Sequence, residues 1–340
     1  MAYHYSGLGP PALGRQAELL PVLVDALRES NVGPGQKVLV YTDTKKNKEL
    51  VDAFYQAAVL LGAETAVIYT LPREVDRTPL PVVQQAMAGV DMILDLASSL
   101  WIYTDFLSQL LDEGKRILSC VSDIDTCLKM RPTHELGQRV RTGGGLMAAA
   151  DEIRVDSRSG TCLTLRKAGR KGAFQDGLAI NPGDWDCYPS HQVACAPLEG
   201  TANGRLVLDP GDLLVTLKRV VTEPVVIEVK DGRITSIEGK TEAILLREWF
   251  LQWKDPNAYG TSHIGFGCDP RADVGSNNLM EWETIAGGMM IAFGANTLRF
   301  LGGNNRSLAH IDLVLRQTDF ALDGVAILRE GAFVHPELII

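Results

Sequence analysis

Apolar and polar positions divide this chain into two unlike halves. In the first, short apolar runs alternate with stretches whose apolar residues recur at helical spacing. "KVLVYTD" (37–43), "ETAVIYTL" (64–71), "DMILDLA" (91–97) and "RILSCVS" (116–122) predict strands buried on both faces. Between them, "NKELVDAFYQAAVLLGA" (47–63), "PVVQQAMAGV" (81–90) and "YTDFLSQLLDEGK" (103–115) predict helices. Strand and helix in alternation, joined by short links, predict a parallel sheet flanked by helices. No GxGxxG follows the first strand, which runs into "TDTKKNK", so a dinucleotide site is not expected there. The "GGG" at 143–145 follows no strand and is read as a turn or hinge.

Beyond residue 150 the pattern changes to alternation with period two. "DEIRVDSRSGTCLTLRKAG" (151–169) predicts a hairpin around "SRSG", and "PVVIEVKDGRITSIEG" (224–239) another around Asp231-Gly232. "GRLVLDPGDLLV" (204–215) adds antiparallel material, and "EAILLREWFLQW" (242–253) predicts one amphipathic helix. "TSHIGFGCDP" (261–270), "GGMMIAFGAN" (287–296) and "SLAHIDLVL" (307–315) complete the strands. The expected organisation is an α/β domain over 1–150 and a β-rich α+β domain over 151–340.

Composition narrows the partners. At 340 residues the chain exceeds the ~250–300 at which a single core divides, which supports two domains. A net charge of −9 without a Lys/Arg run argues against nucleic acid and anionic membranes. No apolar stretch approaches the ~18 residues of a membrane span. "MAYHYSGLGPPALGRQ" lacks a basic start before an apolar core, so no signal peptide is expected. Six cysteines without CxxC spacing are expected to be reduced thiols, in a cytoplasmic protein.

The last strand carries the first chemical signal. His310 and Asp312 interrupt its apolar slots and, two residues apart, leave it on one face. Residues alone leave two readings open: a buried hydrogen-bonded pair, or two ligands of a metal. With His263 as a third ligand, two imidazoles and one carboxylate would suit Fe(II) with open positions, and would equally accept Zn. His4, His134 and His335 fall in polar or terminal contexts and are given no role.

Several ordered stretches between about 177 and 315 carry a family resemblance. "GLAINPGDWDCYPS", "EGTANGRLVLDPGDLLV", "DPNAYGTSHIGFGCDPRA" and the later "HID" resemble the 2,5-dihydroxypyridine 5,6-dioxygenases, themselves similar to the M29 (aminopeptidase T) metallopeptidases. The resemblance implies an M29-like fold and His263, His310 and Asp312 as iron ligands. It also implies a small aromatic substrate and O2 as reactants, no NAD(P)H or flavin, and, by analogy, a homo-oligomer. Where the peptidases hold a second metal, this chain carries His263, Met290 before "IAFG" and Gln192 before "VACAP", which favours one metal.

The resemblance also exposes a departure. The dioxygenases carry a histidine, regarded as the general base, where this chain has Cys187 in "WDCYPS". A thiol near pKa ~8.5 is a poorer base at neutral pH than an imidazole near ~6.5. His191, four residues on, is the candidate substitute, and Cys187 itself reads equally as a small apolar filler. Trp185 and Tyr259 are candidate walls for an aromatic substrate, and further pocket-shaping residues are expected in 97–105 and around 271–290. The leading expectation is a mononuclear Fe(II) ring-cleaving dioxygenase. An M29-like Zn hydrolase, amidase or aminopeptidase, is the second reading, and a non-catalytic binding protein that has lost the base is the third.

Overall fold

The structure, a computed structural model, describes residues 12–73, 77–276, 278–298 and 301–340. Most of the N-terminal stretch that carries the no-leader expectation lies outside the described residues, as does His4. The chain forms two compact units, residues 1–132 with 177–190, and residues 133–176 with 191–340. The units therefore do not follow one cut in the sequence.

In the first unit, five parallel strands run in the order Glu64–Thr70, Lys37–Asp43, Met92–Leu96, Arg116–Ser119 and Trp185–Cys187. Four of them are the apolar runs of the first half. Met92–Leu96 and Arg116–Ser119 are buried along their whole length, as continuous apolar strands must be when helices cover both faces. Helix Lys48–Leu60 is capped by Asn47, whose side chain accepts from Leu50 N–H, and Asp105–Asp112 is capped in the same way by Thr104. The fifth strand is supplied from the 177–190 excursion, where the Asp186 carboxylate accepts from the backbone N–H groups of Gly177 and Leu178.

Among the described residues the second unit has two antiparallel sheets, of eight and seven strands. The Asp231-Gly232 turn has both residues at positive φ (49° and 75°), the conformation that joins Val225–Lys230 to Arg233–Gly239 as a tight hairpin. Ile153, Leu163 and Ile227 from the larger sheet share one core with Ile264, Phe266, Ile291 and Phe293 from the smaller. Each such fully buried side chain contributes roughly 1.5–3 kcal/mol.

The mixed α/β and α+β architecture agrees with the sequence reading, but the "GGG" does not form a turn. It lies inside helix His134–Ala149. The reason is tertiary: a Cβ on Gly143 would stand 2.9 Å from Val193 Cγ2, and one on Gly144 2.9 Å from Phe174 Cδ1. Close approach of the helix to the sheet outweighs the poor helix propensity of glycine. No described helix is long and apolar enough to cross a membrane.

Candidate metal centre

Three neighbouring strands of the seven-stranded sheet, Thr261–Gly267, Met289–Gly294 and His310–Leu315, build the site. Asp312 stands opposite Ala292 and His310 opposite Gly294 on the middle strand. On the other side, the ladder shifts register between Thr261 and Ile264, and His263 lies in that irregularity. The groups between the outer strands are thus a methyl and a hydrogen, so the flanking side chains can meet above the middle strand. Gly294 is fixed by its backbone, with φ of 104° and no room for a Cβ, which would lie 2.1 Å from Ala309 O.

The three side chains converge. His263 Nε2 lies 3.3 Å from His310 Nε2, and the rings stack with centroids 5.2 Å apart. Asp312 Oδ1 is 3.2 Å from His263 Nε2, and its Oδ2 is 3.4 Å from His310 Nε2. His310 Nδ1 is 3.0 Å from Ala295 O, a carbonyl that also accepts from Ser262 Oγ. A carbonyl can only accept, so Nδ1 carries the proton and the Nε2 lone pair faces the other two groups. The Asp312 N–H donates to Thr216 Oγ1 at 3.1 Å, which anchors the strand beneath its carboxylate.

This donor set fits a divalent cation. Burial lowers the His263 pKa, so that imidazole is neutral at neutral pH. Burial works against charge on Asp312 too, but the His310 and His263 rings outweigh it and hold the carboxyl below the usual range. Among the described residues no Lys or Arg pairs with Asp312, and its Oδ1 accepts no hydrogen bond. Two imidazole nitrogens and one carboxylate oxygen thus face a common point, an arrangement that a metal ion would satisfy.

Other polar groups gather on the same face. Gln192 pairs with Gly267, and Ala194 with Gly265, which pairs with Met290 in turn. Met290 stands opposite Val314, two residues from Asp312, so Gln192 and Asp312 point to one side of the sheet. Glu283, ending the short helix Leu279–Glu283, accepts a hydrogen bond from Gln192. Burial first, and then the Asp312 charge, push its carboxyl well above the ordinary range.

The remaining candidates are placed as follows. His191 is fully buried in the second unit, with Nδ1 2.9 Å from Asp269 Oδ2 and Nε2 without a partner among the described residues. Asp269 also accepts from Arg271 Nε at 2.9 Å and from its Nη2 at 2.7 Å. Burial opposes the Asp269 charge, but His191 and Arg271 hold the carboxyl well below its usual range. Cys187 belongs to the first unit, buried on the edge strand, with its N–H donating to Asp186 Oδ1 at 2.6 Å. Tyr259 stacks on Phe250 at 4.8 Å, and Trp185 Nε1 donates to Ser119 Oγ at 3.1 Å. The sequence reading assigned nothing to Glu283 or Asp269. Glu283 does fall in the segment around 271–290 that was expected to shape the pocket, and Asp269 lies in the quoted "GCDPRA".

Comparison with known proteins supplies the family. A sequence model described as 2,5-dihydroxypyridine 5,6-dioxygenase matches residues 18–335. The 2,5-dihydroxypyridine 5,6-dioxygenase of Pseudomonas putida KT2440 is 29% identical over 344 aligned residues, covering 94% of this chain and 97% of that one. The solved structure of the 2,5-dihydroxypyridine dioxygenase from the same strain superposes with a TM-score of 0.88 at 28% identity, over 95% of this chain and 99% of the other. Wild-type AmpT from Thermus thermophilus superposes with a TM-score of 0.64 at 16% identity, over 94% of this chain and all of the other, which is a likeness of fold alone.

Proposed function

The chain belongs to the 2,5-dihydroxypyridine 5,6-dioxygenase family, and from that premise we propose that it is a mononuclear Fe(II) enzyme that opens a hydroxylated, nitrogen-containing aromatic ring with O2. The observation that carries the reading is the convergence of His263, His310 and Asp312, with the two Nε2 atoms 3.3 Å apart. Two imidazoles and one carboxylate make the set preferred by non-haem Fe(II), and Fe(II) held by these residues would supply the means of bringing a ring hydroxyl and O2 to reaction.

The chain's own residues supply the rest. His310, held by Ala295 O, keeps its Nε2 lone pair aimed at the ion, and Asp312 contributes the ligand charge. For the proton that leaves the ring hydroxyl, His191 is the proposed acceptor. Asp269 faces its Nδ1, which makes the unpartnered Nε2 the basic atom and stabilises the imidazolium once formed. The Cys187 thiol takes second place in this role, because at neutral pH a thiol near ~8.5 is the weaker base. A cytoplasmic homo-oligomer completes the proposal, supported by family analogy and by six free cysteines.

The hydrolase reading is the alternative, since the same trio would hold Zn. It is the weaker one. At the two positions where a second metal would need charged or imidazole ligands, the site face carries the neutral Gln192 and Met290. Anaerobic loading with Fe(II), followed by oxygen-electrode assays on a panel of hydroxypyridines and hydroquinones, decides between them. The expected result is iron-dependent O2 uptake with at least one hydroxypyridine. Stoichiometric Zn with amide cleavage, and no iron-dependent uptake with any ring, would overturn the dioxygenase assignment.

A further inference from the structure

Of the six free cysteines, two stand together in the first unit, and nothing in the metal-centre reading uses them. Cys120 directly follows strand Arg116–Ser119, and Cys127 lies on the short helix Ile124–Lys129. Their Sγ atoms are 3.7 Å apart, in hydrogen-bond contact, and both side chains are fully buried. A disulfide bond is ~2.05 Å long, so joining the two sulfurs needs a closure of under about 2 Å. Asp123 in the turn between them and Asp125 on the helix are exposed, so the pair lies close beneath the surface.

The local backbone holds this contact. Cys120 N–H donates to Asp95 O at 2.8 Å, which continues the ladder of the parallel sheet. Lys46 Nζ donates to the Cys120 and Ser122 carbonyls and pins the turn that leads to the helix. Asp123 caps that helix by accepting from Thr126 N–H at 2.8 Å, and its carbonyl accepts from Cys127 N–H at 3.0 Å. The helix is only six residues long, so little structure has to follow Cys127 toward the strand. The two thiols are not equivalent. Donation from the Cys127 S–H lowers the Cys120 pKa against the effect of burial, and the Lys46 ammonium acts in the same direction. Burial first, and then the Cys120 sulfur beside it, push Cys127 well above its usual value. Cys120 is therefore the attacking sulfur and Cys127 the resolving one.

We propose that Cys120 and Cys127 are a peroxide-sensitive dithiol, oxidised reversibly by hydrogen peroxide to an intramolecular disulfide. The Cys120 thiolate attacks one peroxide oxygen and the O–O bond breaks. Hydroxide leaves, takes up the thiol proton as water, and a sulfenic acid remains on Cys120. The Cys127 sulfur then attacks the Cys120 sulfur, its proton departs with the sulfenic hydroxyl as a second water, and the S–S bond forms. Two thiols and one peroxide become one disulfide and two waters, with two electrons passing from sulfur to oxygen. Hydrogen peroxide is the fitting oxidant because it is scarcely larger than water and the sulfurs are buried. The site is independent of the metal centre and of the reaction proposed there.

Peptide mass mapping tests this directly. Trypsin cuts after Arg116 and after Lys129 and nowhere between, so both sulfurs fall in the single peptide 117–129. The folded full-length chain, kept metal-free by chelator so that no iron decomposes the peroxide, is treated with hydrogen peroxide, denatured, alkylated with iodoacetamide and digested. The expected product is that peptide lighter by two hydrogens and without alkyl groups, regaining both alkylation sites after dithiothreitol. In Cys127→Ser the reaction should stop at a Cys120 sulfenic acid that dimedone captures. In Cys120→Ser, dimedone capture at Cys127 should be at least about tenfold lower, the change in thiolate fraction for one unit of thiol pKa. The wild-type result needs no substituted protein. An intact dithiol there, under peroxide that oxidises the exposed Cys162, would overturn the proposal. So would a disulfide from Cys120 to any other cysteine, or sulfinic acid on Cys120 in place of the disulfide.

Discussion

Two buried aspartates, one in each unit, meet opposite fates. Asp95 ends a strand of the parallel sheet, 2% exposed, with Ser119 Oγ at 3.0 Å and Ala97 N at 3.2 Å. Hydroxyl and amide dipoles do not offset its burial, and its pKa rises to about 6. Asp312, 7% exposed on the antiparallel sheet, is held below the usual range by two imidazoles. The first is a structural acid that tolerates a proton. The second keeps its charge through the two imidazoles that face it, and a divalent ion bound there would serve the same end. The difference separates a carboxyl satisfied within its own sheet from the one proposed as a metal ligand. Asp269 is a third case, held charged by Arg271, which donates to it, and by His191, which faces it at 2.9 Å.

Removing the charge at Asp312 should have the largest effect. Asp312→Ala is expected to weaken iron binding by well over about a hundredfold, since even outer partners of metal sites are worth 10–100-fold. Asp312→Asn, which keeps shape but not charge, should bind weakly and turn over little. Iron content after desalting, measured beside turnover, checks both, and full iron retention in the alanine variant would remove Asp312 from the ligand set. His191→Ala should lower turnover by about a hundredfold, the low end of general-base effects, with iron content intact. Asp269→Asn should lower it less and shift the pH profile, because it removes the anion that faces Nδ1. Iron loss in parallel with activity would instead make the His191–Asp269 pair a structural support.

Part of the candidate site was legible in the sequence, and the limits are physical. His310 and Asp312 could be placed on one face because strand side chains alternate with a strict period of two. The meeting with His263 could not be derived from that rule. It depends on the register across Met289–Gly294, on the irregularity after Thr261, and on Ala292 and Gly294 being small. The long apolar strands and their helices were visible for the same periodic reason. A three-residue edge strand such as Trp185–Cys187 carries no readable period, so its return to the first sheet was invisible. The glycines at 143–145 misled because local propensity says nothing about the neighbours that exclude a Cβ. Glu283 and Asp269 acquire their roles from partners distant in sequence, Gln192 and His191.

Asp95 gives the smallest effect and the cleanest pH test. Its folded pKa of about 6 lies above the unfolded carboxylate value near ~3.9. Between those values the native state binds the extra proton, so stability falls as pH rises through that window and is level above it. Asp95→Asn removes this slope and should stabilise the protein by about 1–2 kcal/mol at pH 7.5, part of the ~1.4 kcal/mol per unit being lost with reshaped hydrogen bonds. Urea unfolding at pH 4.5 and 7.5 reads the difference. Asp212, also raised to about 6 by burial, keeps a residual slope of the same sign in the variant. A variant equally destabilised at both pH values would show that Asp95 is held charged.

The central claim is that His263, His310 and Asp312 hold one metal ion. A crystal grown anaerobically with Fe(II), with diffraction recorded on both sides of the iron edge, tests it most directly. The predicted result is a single anomalous peak at ~2.0–2.2 Å from both Nε2 atoms and an Asp312 oxygen, the first-row divalent range. No peak among those three side chains, or two peaks sharing them, would contradict it.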